Sequence, residues 1–315
     1  MGKKISIIGA GNVGATIAYT LTMDGMASEI VLVDINENKA KGEAMDIRQG
    51  TVFCPPVDIY AGDFSEIVNS DIVVVTSGLP REEGQTRLDL AQSNVNLMKK
   101  MGPELVKYAP DAIYVVVSNP VDITTYTLLK TTGLPDSQVI GSGTILDSAR
   151  LRSSISKSLD INPKNVHAYV FGEHGDSSFV PWSLATVSGM SLETYYKERC
   201  KTDASFCNVD FDSFEEGVRT SGSKIISKKG ATYYAIALSV RRICDCIIRD
   251  TNSVLTVSGM IHDRYGISDV CLSLPFVVSK NGIEYAISPP ILPEEEEELR
   301  HSYNVIKKMI DTLDI

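Results

Sequence analysis

Short, continuous runs of apolar and β-branched residues recur through the first half of the chain: Ile5–Ile8, Ile30–Asp34, Val57–Ala61, Ile72–Thr76, Ile113–Ser118 and Val139–Gly141. Runs of this kind suit parallel strands covered on both faces. The stretches between them, beginning with an apolar-periodic helix that continues through Leu21, are long enough for right-handed helical crossovers. From about Gly141 the pattern changes. Helical periodicity over Leu146–Leu159, Phe214–Ile226 and Ala231–Ile248 is mixed with strand patterns at Val166–Phe171, Ser253–Ile261 and Val270–Val277, and a last helix runs from about Glu294 to Leu313. The chain therefore reads as α/β. A doubly wound parallel sheet over residues 1–141 is followed by a mixed α+β domain over 142–315, with no internal repeat and no Pro- or Ser-rich linker.

Composition narrows the class. With 315 residues, 43% hydrophobic and 22% charged, the chain is ordinary for a soluble globular protein. It has no apolar run long enough to span a bilayer and no secretory signal pattern, so no membrane partner is expected. Six scattered cysteines without CxxC spacing read as reduced thiols of a cytoplasmic protein. A net charge of −10 argues against nucleic acid, which needs clustered Lys and Arg.

The first strand and helix are joined by Gly9-Ala10-Gly11-Asn12-Val13-Gly14, and Asp34 ends the next strand twenty residues after Gly14. GxGxxG alone is weak. Between a strand and a helix, with an acidic residue at that distance, it is a strong dinucleotide signal and makes the sheet Rossmann-type. One glycine makes the tight turn, one admits the pyrophosphate, and one lets helix and strand pack closely. The helix N-terminus then offers the phosphates free N–H groups. Asp34 would accept bonds from ribose hydroxyls and repel a 2′-phosphate, so the expected cofactor is NAD. Ligands of such sheets lie beyond the carboxyl ends of the strands, which adds Ser77, Gly78 and Asn119 to the expected contacts Gly9, Gly11, Asn12, Val13, Gly14 and Asp34. The competing reading is a purely structural glycine-rich turn.

Hydride transfer to a ketone leaves an alkoxide that needs a general acid near neutral pH. Of the four histidines, His174 lies in Gly172-Glu-His-Gly-Asp176, where glycines allow a ligand to approach. Asp147 is the best candidate for the carboxylate that orients it, and Arg150, one helical turn on, can bind a substrate carboxylate through paired hydrogen bonds. His262 and His301 have no supporting motif. Glu294–Glu298 follows Pro293 at a helix start and is read as a dipole-favoured charge run without function.

The segments GAGNVG, SGLPREEGQTRLDLAQSN, VSNPVDITTY, IGSGTILDSARLR, NVHAYVFGEHGD and KKGATYY resemble the L-lactate/malate dehydrogenase family in its bacterial form, over essentially the whole chain. The resemblance makes the second domain the substrate-binding one and implies no metal. It implies His174 as proton donor with Asp147 as its partner. Arg150 would clamp the C1 carboxylate, and Asn119 would bond the reacting oxygen. Arg87 would polarise the carbonyl from a mobile loop, and Thr232 would line the pocket. In this family the residue six before the polarising arginine meets the variable end of the substrate, and here it is Arg81. Burying that guanidinium beside a methyl group would cost about 3–5 kcal/mol, roughly two to three decades of discrimination. The first expectation is therefore malate and oxaloacetate. L-lactate dehydrogenase is the alternative, because the text around Glu173 and Thr232 resembles the lactate branch, and Glu82 and Glu83 beside Arg81 could offset its charge. Arg152 and His167 match an interface site for fructose 1,6-bisphosphate in that branch, or an ordinary interface salt bridge. A homotetramer is expected, with a homodimer second. NAD-dependent glycosidases of related architecture are a remote alternative, since no cysteine adjoins the Asn119 or His174 motifs.

Overall fold

The computed structural model describes residues 2–79, 84, 86–207 and 209–315, with Arg87 as backbone alone. The first half runs β1 (Lys4–Ile8), α1 (Asn12–Asp24), β2 (Glu29–Val33), α2 (Glu37–Gln49), β3 (Asp58–Ala61), β4 (Ile72–Val75), α3 (Arg87–Tyr108), β5 (Ile113–Val116), α4 (Val121–Thr132) and β6 (Val139–Gly141). These strands pair in parallel in the order β3-β2-β1-β4-β5-β6. Every residue of β4 and β5 is buried, as strands covered by helices on both faces require.

The second half adds α5 (Ile145–Leu159), β7 (Val166–His167), β8 (Thr186–Val187), β9 (Met190–Ser191), α6 (Leu192–Thr202), α7 (Phe211–Lys229), α8 (Tyr234–Arg249), β10 (Ser253–Met260), β11 (Cys271–Ser279), β12 (Gly282–Ala286) and α9 (Pro293–Thr312). The large sheet does not stop at Gly141. β10 joins β6 antiparallel through the pair Ser258–Gly141, and β11 and β12 extend the sheet to nine strands. One apolar core therefore runs from Ile5, Ile17 and Leu32 through Val115 to Val257, Leu274 and Leu299. A smaller core, built on Leu151, Ile155, Val187, Tyr196 and Phe214, lies under β7–β9 and α5–α7.

Several sequence expectations change here. The strand expected over Val166–Phe171 ends at His167, and Phe171 and Gly172 make single bridges to Phe179 and Ser273 instead. Helix α6 escaped detection because only Leu192 and Tyr196 of its eleven residues are buried, too few to print a period. The six thiols expected to be free are four, because Cys200 and Cys207 are bonded to each other across the end of α6. The charge run at Glu294–Glu298 contains one structural member. Glu295 is buried and accepts hydrogen bonds from the Leu292 N–H and from the Ser183 N–H and hydroxyl, tying α9 to the loop before β8.

The turn from β1 to α1 is set by space. Gly9 turns the chain at φ +105°. A Cβ on Gly14 would lie 1.9 Å from the Gly9 carbonyl oxygen, whereas one on Gly11 would meet nothing within 4 Å. Gly11 sits at φ −71°, which alanine adopts freely. The α1 N-terminus has no side-chain cap and no acidic residue in its first turn, so its N–H groups point into that open space. These residues fit a pyrophosphate.

Two substitutions separate the roles. Gly14→Ala should lower thermal stability by about 1–3 kcal/mol or more, through backbone overpacking, as read from Tm. Gly11→Ala should leave the Tm of the ligand-free protein nearly unchanged. It should raise the NADH Kd about tenfold or more, a loss of at least about 1.4 kcal/mol in a fluorescence titration.

Candidate active site

Three loops meet beyond the carboxyl edge of the sheet. The first follows β5, where Ser118 and Asn119 precede a cis Asn119–Pro120 bond and α4 begins at Val121. The Ser118 hydroxyl donates to the Ser77 carbonyl at 2.5 Å, and the Asn94 side chain donates to the Asn119 carbonyl at 3.0 Å while accepting from the Leu79 N–H at 2.8 Å. Asn94, on α3, thus ties the end of the β4 loop to the Asn119 turn. At the start of α3, Thr86 and Asp89 form a capping box, which makes Arg87 the first helical residue. Arg81 and the Arg87 side chain lie outside the described residues.

The second contributor is α5, which follows β6 after a short turn. Its first two turns carry Asp147 and Arg150, three residues apart and joined at 2.8 Å. The third is the loop from Gly172 to Asp176. His174 Nδ1 meets Asp147 Oδ2 at 2.5 Å. Burial alone would push the Asp147 carboxyl up, but His174 and Arg150 outweigh it and hold the group below the usual carboxylate range. Burial works against the charged imidazole too, yet Asp147 overrides it and raises His174 above the ordinary histidine value. With Nδ1 committed to the carboxylate, Nε2 is the nitrogen left to exchange a proton with a ligand.

His174, Asp147, Arg150, Asn119 and Thr232 line one cavity of about 360 Å³, together with Val13, Ser142, Leu146, Ile226 and Ile236. Arg150 has N–H donors beyond the one that meets Asp147, enough to grip a carboxylate within that space. Asp34 stands at the end of β2, where its carboxylate already accepts from the Ala10 N–H at 2.6 Å and the Asn36 N–H at 2.8 Å. Each oxygen keeps a lone pair for a ribose hydroxyl. Val13 connects the two parts, since it belongs to the first turn of α1 and to the cavity wall. Arg152 and His167 are not brought to the cavity. Arg152 donates from α5 to the Pro163 carbonyl at 3.2 Å, and His167 is exposed on β7.

Sequence reading missed the anchors of the catalytic-loop candidate. Three successive backbone N–H groups bond three different elements: Gly172 to the Ser273 carbonyl of β11 at 2.9 Å, Glu173 to the Ser302 hydroxyl of α9 at 2.7 Å, and His174 to the Asp122 carboxylate of α4 at 2.8 Å. Ser273 and Ser302 carry no sequence signal. Asp122 sits inside the motif around Asn119, and that position was its only visible mark.

Comparison with known proteins bears on the substrate. The family model for the lactate/malate dehydrogenase NAD-binding domain matches residues 3–141, and that for the lactate/malate dehydrogenase alpha/beta C-terminal domain matches residues 144–314. The chain is 48% identical over 314 residues to the L-lactate dehydrogenase of Thermoanaerobacterium saccharolyticum, covering 99% of this chain and 100% of that one. It is 48% identical over 313 residues to the L-lactate dehydrogenase of Acetivibrio thermocellus, covering 99% and 98%. Among solved structures it superposes on the minor L-lactate dehydrogenase of Enterococcus mundtii with a TM-score of 0.94 at 36% identity, covering 99% of each chain. These relatives overturn the malate expectation drawn from Arg81. That argument set one residue against a body whose likeness to lactate dehydrogenases extends over the entire chain. With both halves matched in order and almost end to end, the chain belongs to the lactate/malate dehydrogenase family.

Proposed function

We propose that this NAD-dependent 2-hydroxyacid dehydrogenase is an L-lactate dehydrogenase, interconverting pyruvate and lactate. The observation that carries the reading is the full-length likeness to proteins named L-lactate dehydrogenase. The cavity that gathers Arg150, His174 and Asn119 suits a small 2-keto acid.

When bound, the reduced nicotinamide supplies the hydride that the keto carbon receives. Gly11 and the α1 N-terminus would hold its pyrophosphate, with Asn12 and Val13 in the same first turn, and Asp34 would hold a ribose. Ser77, Gly78 and Asn119, at the ends of β4 and β5, would border it. Arg150 binds the substrate carboxylate and fixes the orientation of the keto group. His174, protonated, gives its Nε2 proton to the oxygen as negative charge develops there, while Asp147 stabilises the imidazolium from Nδ1. Asn119 donates to the same oxygen. Thr232, Ile226 and Ile236 complete the cavity wall. Arg87, first residue of α3, is the residue assigned to polarising the carbonyl. Exposed apolar side chains on α1 (Tyr19, Met23) and on the adjoining α8 (Tyr234, Leu238) support self-association of the chain, with a homotetramer as the expected form.

The substrate is tested by comparing kcat/KM with NADH for pyruvate and oxaloacetate. Pyruvate should be preferred, and an equal or larger value for oxaloacetate would sink the reading. The proton path is tested by Asp147→Asn, which should lower kcat for pyruvate reduction by about 10²- to 10⁴-fold. Reduction needs protonated His174, and the Asp147 charge is what holds its pKa up. The alkaline limb of the pyruvate profile should therefore move to lower pH in the variant.

A further inference from the structure

Asp122 is 2% exposed and takes no part in the chemistry described above. Its carboxylate accepts the His174 N–H on Oδ2 at 2.8 Å and the Ser258 hydroxyl on Oδ1 at 2.6 Å. Residue 122 lies in the first turn of α4, three residues after Asn119. One buried side chain thus joins the Asn119 turn, the His174 loop and β10. Asn119 and His174 must reach the same substrate oxygen, so their relative placement is what such a link controls. The other two N–H anchors of the loop, Ser273 and Ser302, are neutral groups on the second half of the chain. Asp122 is the anionic anchor, and it comes from the nucleotide-binding half.

We propose that Asp122 is a positioning residue for proton transfer: it fixes the His174 backbone against the Asn119 turn and sets a second buried negative charge beside the imidazolium. The proposal rests on the reading of His174 as proton donor. Its surroundings are specific. His174 feels Asp147 and Arg150 from α5 and Asp122 from α4, while Asp122 feels His174 and Glu173 from the loop, with Ser258 on β10 and Cys271 on β11 nearby. Asp176 and Arg219 border the same cavity. Burial, against the opposing Ser258 and His174 hydrogen bonds, pushes the Asp122 carboxyl up to about 6. A carboxyl raised in the folded state favours folding when protonated. That contribution is full below the ordinary value of 3.8 and is lost as pH rises through about 6, so at neutral pH the ionised group works against stability.

Asp122→Asn isolates the charge. The amide keeps both bonds, with Oδ1 accepting from the His174 N–H and Nδ2 donating to the Ser258 hydroxyl. In the intact variant enzyme with NADH and pyruvate, the alkaline limb of kcat/KM should move to lower pH by up to about one unit, and kcat at neutral pH should fall about three- to tenfold. The NADH Kd and the Tm at neutral pH should not worsen. An unmoved limb with wild-type kcat overturns the proposal, and so does a lower Tm with unchanged activity per folded molecule. Should Asp122→Asn not fold, Asp122→Ser decides: the hydroxyl removes the charge as well, so the alkaline limb should again move to lower pH, and an unmoved limb overturns the proposal. The wild type and His174→Gln keep the two failures apart. No alkaline limb in the wild type, or near-wild-type turnover in His174→Gln, defeats the reading of His174 and the proposal with it. A wild-type limb that Asp122→Asn leaves in place defeats only the role of Asp122.

Discussion

The pairing of Gly141 with Ser258 joins the two halves of the chain into one sheet, and the positions of the polar side chains follow from it. A Cβ at residue 141 would lie 2.5 Å from the Thr125 hydroxyl and 2.8 Å from Ser258 Cβ, so β6 and β10 approach as closely as they do only because none is there. The chain leaves β6 directly into α5, which places Asp147 and Arg150 at the carboxyl edge of the parallel strands. The same contact brings Ser258 to Asp122 at the foot of α4. A cleft that draws on both halves is thus mounted on one continuous, buried framework.

Within that framework, charge is handled by local pairing. A protein of net charge −10 that binds an anion must concentrate positive charge where the anion goes. Arg150 and His174 do so, with Asp147 between them. Taken alone, each of these groups would be unfavourable in a buried place. Together they alternate in sign, which holds the carboxyl below its usual range and the imidazole above its own against the opposing effect of burial. The remaining carboxylate, Asp122, has only hydrogen-bond donors and a shared imidazolium to offset its burial, which is why its proton affinity rises where that of Asp147 falls.

What was legible in the sequence was what is local or chemically rare. The Gly9–Gly14 turn and Asp34 could be read because the pattern is contiguous with a strand and a helix. His174 stood out as one of four histidines in a glycine-bracketed setting, and Asp147 and Arg150 as a charged pair at helical spacing. Contacts over long separations between common residues left no trace. Ser302 is 129 residues from the Glu173 N–H it accepts, and Ser258 is 136 from Asp122. Helix α6 was invisible because it buries so little, and the Cys200–Cys207 link because thiol spacing does not report a reversal of the chain. Arg81 misled in the opposite way: one conspicuous residue pointed to a second substrate carboxylate, against a likeness to lactate dehydrogenases that runs the length of the chain.

The uncapped start of α1 reaches beyond recognition. Helix N-termini in folded proteins are commonly closed by a side chain worth about 1 kcal/mol, and this one is left open at Gly11. A cofactor seated there would supply partners for those N–H groups in the native chain and not in the unfolded one. By linkage, saturation at a hundredfold over Kd adds about 2.7 kcal/mol to the folding free energy. Resistance to heat and to proteolysis would then rise with the cofactor pool, and the enzyme would last longest where its cofactor is abundant.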